Sequence, residues 1–241
     1  MQDLTPHLRI ENLQKRYGTH FFLNIPELRI EEGETFGLVG NNGAGKTTFL
    51  RLVLDLIRPD EGSIYISGQD VSADAAWKAH TGSYLDESFL LDFLTPDEYL
   101  DFVGSVYGLS RDQVANAVAR YRAFFTDSIL GQKDRYIRNL SMGNAKKVGL
   151  VAALMIEPRL LILDEPFANL DPGSQIQLKL MLAQLNMQHG TTTVISSHDL
   201  VHVTEVCQRI AILDAGQIVR DLSTSEETLH ELELYFATRM A

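Results

Sequence analysis

The chain has 241 residues, 45% of them hydrophobic and 22% charged, an ordinary balance for a globular protein with a core large enough to need no staples. Its formal net charge of −11, with no basic block, argues against non-specific nucleic-acid binding, which depends on Lys and Arg neutralising phosphates. A single cysteine excludes an internal disulfide, no apolar run nears the roughly 18 residues that cross a bilayer, and the first six residues lack the pattern of a leader. Cytoplasm is the compartment these features suggest.

Residues 8–17 alternate like a strand and end at Tyr17, next to Gly18; residues 21–30 read as a second strand turning at Glu31-Glu-Gly33. Residues 35–39 are a buried strand. Immediately after it comes Gly40-Asn-Asn-Gly-Ala-Gly-Lys46-Thr47, which fits the phosphate-loop pattern G-x-x-x-x-G-K-[ST] without a gap. Glycines in such a loop let backbone N–H groups curl around phosphate oxygens. Lys46 is placed to reach the β- and γ-phosphates, and the Thr47 hydroxyl to ligate Mg²⁺. Residues 46–56 read as a helix with Phe49, Leu50, Val53 and Leu54 on its inner face. Phosphate would sit at the N-terminus of that helix, where the dipole favours anions.

A short strand is expected over residues 62–68. Thr95-Pro-Asp-Glu98 has an N-cap, a first-turn proline and a capping-box glutamate. The helix it opens is expected to run to about residue 107 and to bury Tyr99, Phe102, Val103 and Val106. Another helix covers residues 111–125, and the whole stretch 88–156 reads as a helical insertion. In it, Lys146 and Lys147 are the only adjacent lysines, and a solvated helix face accounts for them. Residues 159–164, 192–196 and 209–213 then read as buried strands alternating with helices, which implies a largely parallel sheet. Cys207, among Val203, Val206 and Ile210, reads as a packed core thiol. Residues 226–241 read as one amphipathic helix.

Four apolar residues, Leu160 to Leu163, carry two acids, Asp164 and Glu165, to a strand end, where open α/β folds place their ligands. In phosphoryl transfer one acid can hold Mg²⁺ through its waters and a second can orient the attacking water. His198 also follows a strand and, beside a nucleotide, can report the γ-phosphate, although a lone His is more often structural. Ser141 at the start of the helical pattern 145–154 is either a plain cap or a second helix N-terminus open to an anion.

In their order and spacing these motifs resemble the ATP-binding cassette of ABC transporters over nearly the whole chain. Gly40 to Thr47 resembles Walker A, and Leu160 to Glu165 resembles Walker B with its catalytic glutamate. Ala168-Asn169-Leu170-Asp171 is similar to the D-loop, His198 to the switch histidine, and Leu140 to Asn144 to the family signature. Tyr17 fits the aromatic that stacks on adenine.

The resemblance implies an α/β fold, a P-loop NTPase with a mostly parallel central sheet, an N-terminal antiparallel β portion and an inserted helical subdomain. Residues 1–87 and 157–225 would form the catalytic core, 88–156 the helical subdomain and 226–241 a C-terminal helix. ATP would be held by Tyr17, Asn41, Asn42, Gly43, Ala44, Gly45, Lys46, Thr47 and Thr48, with Mg²⁺ served by Thr47 and Asp164. Lys46, Glu165 and His198 would carry the chemistry. A head-to-tail dimer, of identical or paralogous subunits, would clamp each ATP between Walker A and the other subunit's Ser141, Gly143 and Asn144. Asp171 would lie on the D-loop.

Two departures stand out. The signature reads Ser141-Met142-Gly143-Asn144 where the family has Ser-Gly-Gly-Gln, and the loop that carries a Gln in the family reads Tyr84-Leu-Asp86-Glu87. By position Asp86 takes the place of that Gln, with Glu87 the alternative. The expected function is a cytoplasmic ATPase subunit, peripheral on the inner face of the cell membrane, that drives a separate permease. The lobe would dock that permease, with Phe89, Leu90, Leu91, Phe93 and Leu94 as candidate contacts. The variant signature and the short segment after the last strand lean toward an exporter. The alternatives are an ABC-type ATPase acting on ribosomes or DNA, and a nucleotide-binding regulator without turnover.

Overall fold

The computed structural model describes residues 7–125 and 129–238; the segment read for a leader and the last three residues of the expected tail helix lie outside them. β1 (Leu8–Tyr17) and β2 (Phe21–Ile30) form a hairpin in which Tyr17 pairs with Phe21 and Leu8 with Ile30. Pro26 is tolerated because β2 is an edge strand and need not donate to a second neighbour.

β3 (Thr35–Val39) leads into α1 (Lys46–Val53), followed by β4 (Glu61–Ile66), the two-residue β5 (Gln69–Asp70) and β6 (Thr81–Tyr84). The lobe contributes α2 (Pro96–Val106), α3 (Arg111–Arg120) and α4 (Met142–Leu154). The chain continues through β7 (Leu160–Asp164), α5 (Pro172–His189), β8 (Thr192–Ser197), α6 (Leu200–Val206), β9 (Arg209–Asp214), β10 (Gln217–Ser223) and α7 (Thr228–Ala237).

Two sheets result. The antiparallel one has the order β2-β1-β4-β5. The other has the order β10-β9-β3-β8-β7-β6, parallel except for the edge strand β10. Alternation along β7 divides the core: Leu160 and Ile162 point into the layer that holds α1 and the antiparallel sheet, Leu161 and Leu163 into the layer of α4 and α5. β3 lies inside the parallel sheet between β8 and β9, so all five of its residues are buried and its carboxyl end opens at the centre of the molecule.

The capping box at Thr95 is present as expected, with Pro96 in the first turn. The buried face of α2 is not the expected one. Leu100 and Gly104 point inward, flanked by Tyr99 and Val103, while Phe102 and Val106 are 47% and 67% exposed. Gly104 fixes this rotation: a Cβ there would stand 2.2 Å from Val114 Cγ2, so α3 packs directly against the backbone of α2. α3 ends at Arg120, and residues Arg122–Phe124 continue as a short 3₁₀ turn rather than one helix to 125.

The solvated face expected for Lys146 and Lys147 is also corrected. α4 is buried from Ala145 through Leu154, both lysines included, because it is wedged between the parallel sheet and the lobe. Lys147 Nζ lies 3.4 Å from Asp171 Oδ2 and 5.4 Å from the centre of the Phe124 ring. Cys207 is buried, and burial pushes its thiol well above the ordinary range. Among the described residues no helix is long and apolar enough to cross a membrane.

Candidate functional site

The carboxyl end of β3 emits a loop shaped by close backbone approach. A Cβ on Gly40 would stand 2.3 Å from the Leu213 carbonyl oxygen. Gly45, at φ 111°, ends the loop as the N-cap of α1, and a Cβ there would meet the Phe21 ring at 2.6 Å. No side chain caps α1, so its first N–H groups face the cleft. The cleft measures about 330 Å³ and is lined by Tyr17, Phe21, Asn41, Asn42, Gly43, Gly45, Lys46, Thr47, Thr48 and Glu165. Ala44 belongs to the loop but points into the core, and its N–H is spent on the Asn41 carbonyl at 3.1 Å.

Asp164 ends β7 beside this loop, and Glu165 follows it. Asp164 is 6% exposed, and a carboxylate so buried needs partners. It accepts from the Thr47 hydroxyl at 2.6 Å and from the Ser196 hydroxyl. Ser196 was not singled out from the sequence, because it is the β7–β8 register of the folded sheet that sets it against Asp164. The Glu165 carboxylate has three neighbours. Oε1 lies 2.9 Å from His198 Nδ1 and 3.5 Å from Lys46 Nζ, and Oε2 accepts from the Ser197 hydroxyl at 3.3 Å. Lys46, 7% exposed, also donates to the Gly40 carbonyl at 2.7 Å. The structure thus brings together Lys46, Thr47, Asp164, Glu165 and His198, contributed by α1, β7 and the loop after β8.

Tyr17 is half exposed at the mouth of the cleft, its ring centre 6.3 Å from that of Phe21, giving two aromatic surfaces for a planar group. Phe21 was not singled out beforehand. Thr47 and Asp164 are hard oxygen donors that suit Mg²⁺. Among the described residues no group of three or more His, Cys, Asp or Glu gathers for a metal, so phosphate oxygens and water would complete its shell.

Ser141, Gly143 and Asn144 do not line this cleft. Ser141 caps α4 by accepting from the Asn144 N–H at 3.4 Å. Gly143 packs against residues after β7: a Cβ would stand 2.6 Å from the Asn169 carbonyl oxygen. Met142, 58% exposed, accepts from the Asn169 side-chain amide through its sulfur at 3.1 Å. The helix start therefore tolerates a side chain at 142 but not at 143. Gly143→Ala is expected to cost about 1–3 kcal/mol through overpacking, read as a lower denaturation midpoint, whereas Met142→Gly should change stability far less. Asp171 caps α5 by accepting from Ser174. With Lys147 adding its charge, this holds the carboxyl at about 2.

The two acids of the Gln-less loop diverge. Asp86 caps a single turn by accepting from the Ser88 N–H at 2.8 Å, and it lines an apolar groove under the lobe rather than the phosphate cleft. Glu87 points inward, its Oε1 4.0 Å from Lys146 Nζ. Burial lowers the Lys146 ammonium below the ordinary range, while Glu87, Glu165, Asp164 and Asp86 pull it back up.

A glycine-rich loop at the end of a central parallel strand, facing two carboxylates at the end of another, defines a P-loop nucleotide-binding fold. The family model described as ABC transporter matches residues 23–168, and the chain belongs to that family. It is 33% identical over 221 residues to an uncharacterized ABC transporter ATP-binding protein of Synechocystis, the match covering 89% of this chain and 62% of that protein's length. It is 31% identical over 224 residues to a bacitracin transport ATP-binding protein of Enterococcus faecalis, covering 91% and 70%. A solved ATP-binding subunit of an ABC transporter matches with a TM-score of 0.80 at 25% identity, covering 98% of this chain and 95% of that one. Sulfate/thiosulfate and methionine import proteins are further relatives.

Proposed function

We propose that the chain binds Mg-ATP in the cleft and hydrolyses it to drive a separate membrane permease. The observation that carries this reading is the placement of Glu165: a carboxylate at the rim of the phosphate loop, bracketed by Lys46, His198 and Ser197. The adenine stacks at Tyr17, the phosphates lie along residues 41–48, and Lys46 neutralises the terminal phosphates. Thr47 and Asp164 would hold Mg²⁺, which would supply positive charge to offset that of the phosphates. Glu165 accepts a proton from the attacking water, and His198 contacts the γ-phosphate. Purified protein should release phosphate from ATP only with a divalent ion present; no release with or without a permease overturns the reading.

Two chains meet head to tail on this reading, so that Ser141, Gly143 and Asn144 of one close over the phosphates of the other. Both ends of the sandwich are helix N-termini, those of α1 and α4, which suits a bound polyanion. Closure while the γ-phosphate is present and release after hydrolysis make the switch.

The permease docks at the groove of about 300 Å³ lined by Leu56, Trp77, Tyr84, Phe89, Leu90 and Tyr99, among others. Of the five apolar residues expected to make this contact, Phe89 and Leu90 line the groove; Leu91, Phe93 and Leu94 do not. Phe89 is 50% exposed at its rim, so Phe89→Asp should leave ATP binding intact and lose co-purification with the membrane subunit. Recovery of that subunit at the parent level counts against the docking site. Association with it would hold the chain at the inner face of the membrane. Export is the direction we favour on the variant signature, although the relatives whose names give a direction are import proteins. ATP-driven uptake of cargo into inverted vesicles is the expected result, and uptake only into right-side-out vesicles would reverse the direction.

A further inference from the structure

Lys146 occupies a position that neither nucleotide binding nor helix packing explains. Only 5% of its side chain is exposed, yet it carries a charge into the layer between α4 and the parallel sheet. Its ammonium donates to the main-chain carbonyl of Glu165 at 2.9 Å. Glu165 is held at φ +46°, a left-handed conformation that residues with side chains rarely adopt, so the direction of its carbonyl and the aim of its carboxylate are set together. On its other side the same ammonium faces Glu87, whose buried Oε1 lies 4.0 Å from Nζ. The Tyr84 ring lies 5.7 Å from Nζ, and its buried hydroxyl faces the Glu87 carboxylate; burial and that carboxylate push the phenol well above its ordinary range. Glu87 opens the turn Glu87–Phe89, which Asp86 caps and whose last residue, Phe89, stands at the rim of the apolar groove.

We propose that Lys146 is a positioning residue that ties the Glu87 turn to the backbone of Glu165, so that movement of the turn re-aims the Glu165 carboxylate. The inference rests on the reading of Glu165 as the group that activates water. It also supplies an account of the acids in this loop. Glu87 adds to the counter-charge that Glu165, Asp164 and Asp86 also give the buried ammonium, and it makes the link to the turn electrostatic. Lys146 does not line the phosphate cleft. It acts through the residue whose carbonyl it holds.

The test is a set of purified full-length variants, Lys146→Met, Lys146→Arg, Glu87→Gln and the double Lys146→Met/Glu87→Gln, each assayed for steady-state ATP turnover and for affinity for a fluorescent ATP analogue. A misaimed carboxylate should lower kcat of Lys146→Met by about 10- to 100-fold and leave nucleotide affinity within about twofold. Lys146→Arg, which keeps a donor and a charge, should recover a large part of that loss. Glu87→Gln should lower kcat less, and the double variant should be no slower than Lys146→Met, because both changes break one link. Parent-level kcat in Lys146→Met, equal losses of kcat and affinity, or losses that multiply in the double variant would each overturn the proposal. Glu87 is only partly buried, so Glu87→Gln and Lys146→Arg carry the test should the methionine variant fold poorly. Glu165→Gln assayed in parallel separates the two ideas. Slow turnover there with parent turnover in Lys146→Met sinks the link alone. Parent turnover in Glu165→Gln removes the role of Glu165 and the link with it.

Discussion

Glu165→Gln is expected to slow ATP turnover by about 10²- to 10⁴-fold while leaving ATP affinity near the parent value. The substitution is nearly isosteric and removes the carboxylate assigned to accept a proton from water. The side-chain oxygen that accepts from Ser197 and from the His198 N–H, each at 3.3 Å, is retained. Two interactions weaken. His198 Nδ1, 2.9 Å from Oε1, loses a charged partner, and Lys46, 3.5 Å away, is freed of a competing anion. The second change favours a bound triphosphate, so affinity should hold or rise slightly. With hydrolysis blocked, the γ-phosphate stays in place, and the head-to-tail pair should accumulate as a dimer on gel filtration in Mg-ATP. Single-turnover phosphate release separates slow chemistry from slow product release. Hydrolysis at the parent rate sinks the assigned role of Glu165.

What could be read from the sequence beforehand follows from how local each signal is. The bounds of β1 and β2 agree with the strands read from alternation, because a hairpin with a buried face writes its period directly into the chain. The phosphate loop is a contiguous motif between a strand and a helix, so its place in the fold followed at once. β6 went unread because it is four residues long with a glycine second, and only its pairing with β7 makes it a strand. β10 went unread because it is mostly exposed on the sheet edge, where little apolar pattern is required.

The burial errors share one cause. An apolar stripe gives a helix face when one side is solvent, but α4 is enclosed on all sides and two lysines were read as its wet face. Those lysines are buried because acids distant in sequence, Glu87 and Asp171, come to meet them. The outward turn of Phe102 has the same kind of origin, since Gly104 packs against Val114 on a neighbouring helix. Likewise, nothing local distinguishes Asp86 from Glu87. The cap on Ser88 turns one outward, and the burial of Lys146 draws the other in.

Lys46→Met should weaken ATP binding by about 10- to 100-fold, the size expected on removing a charged hydrogen-bond donor from an anion site. Methionine fills a similar volume at a position 7% exposed, so the loop should keep its shape through its backbone hydrogen bonds. The Gly40 carbonyl loses its donor, and Glu165 loses the cation 3.5 Å away. An unopposed carboxylate at the rim then repels the phosphates, which adds to the loss. On the proposed placement of the outer phosphates at Lys46, AMP should bind the variant about as well as the parent, ADP worse and ATP worst. A thermal-shift titration should show the same order: saturating ATP at about 100 times the dissociation constant should stabilise the parent by about 2.7 kcal/mol, and the variant far less at that concentration. Equal losses for AMP and ATP would instead mean a distorted loop. Unchanged ATP affinity would move the phosphates away from the position assigned to them.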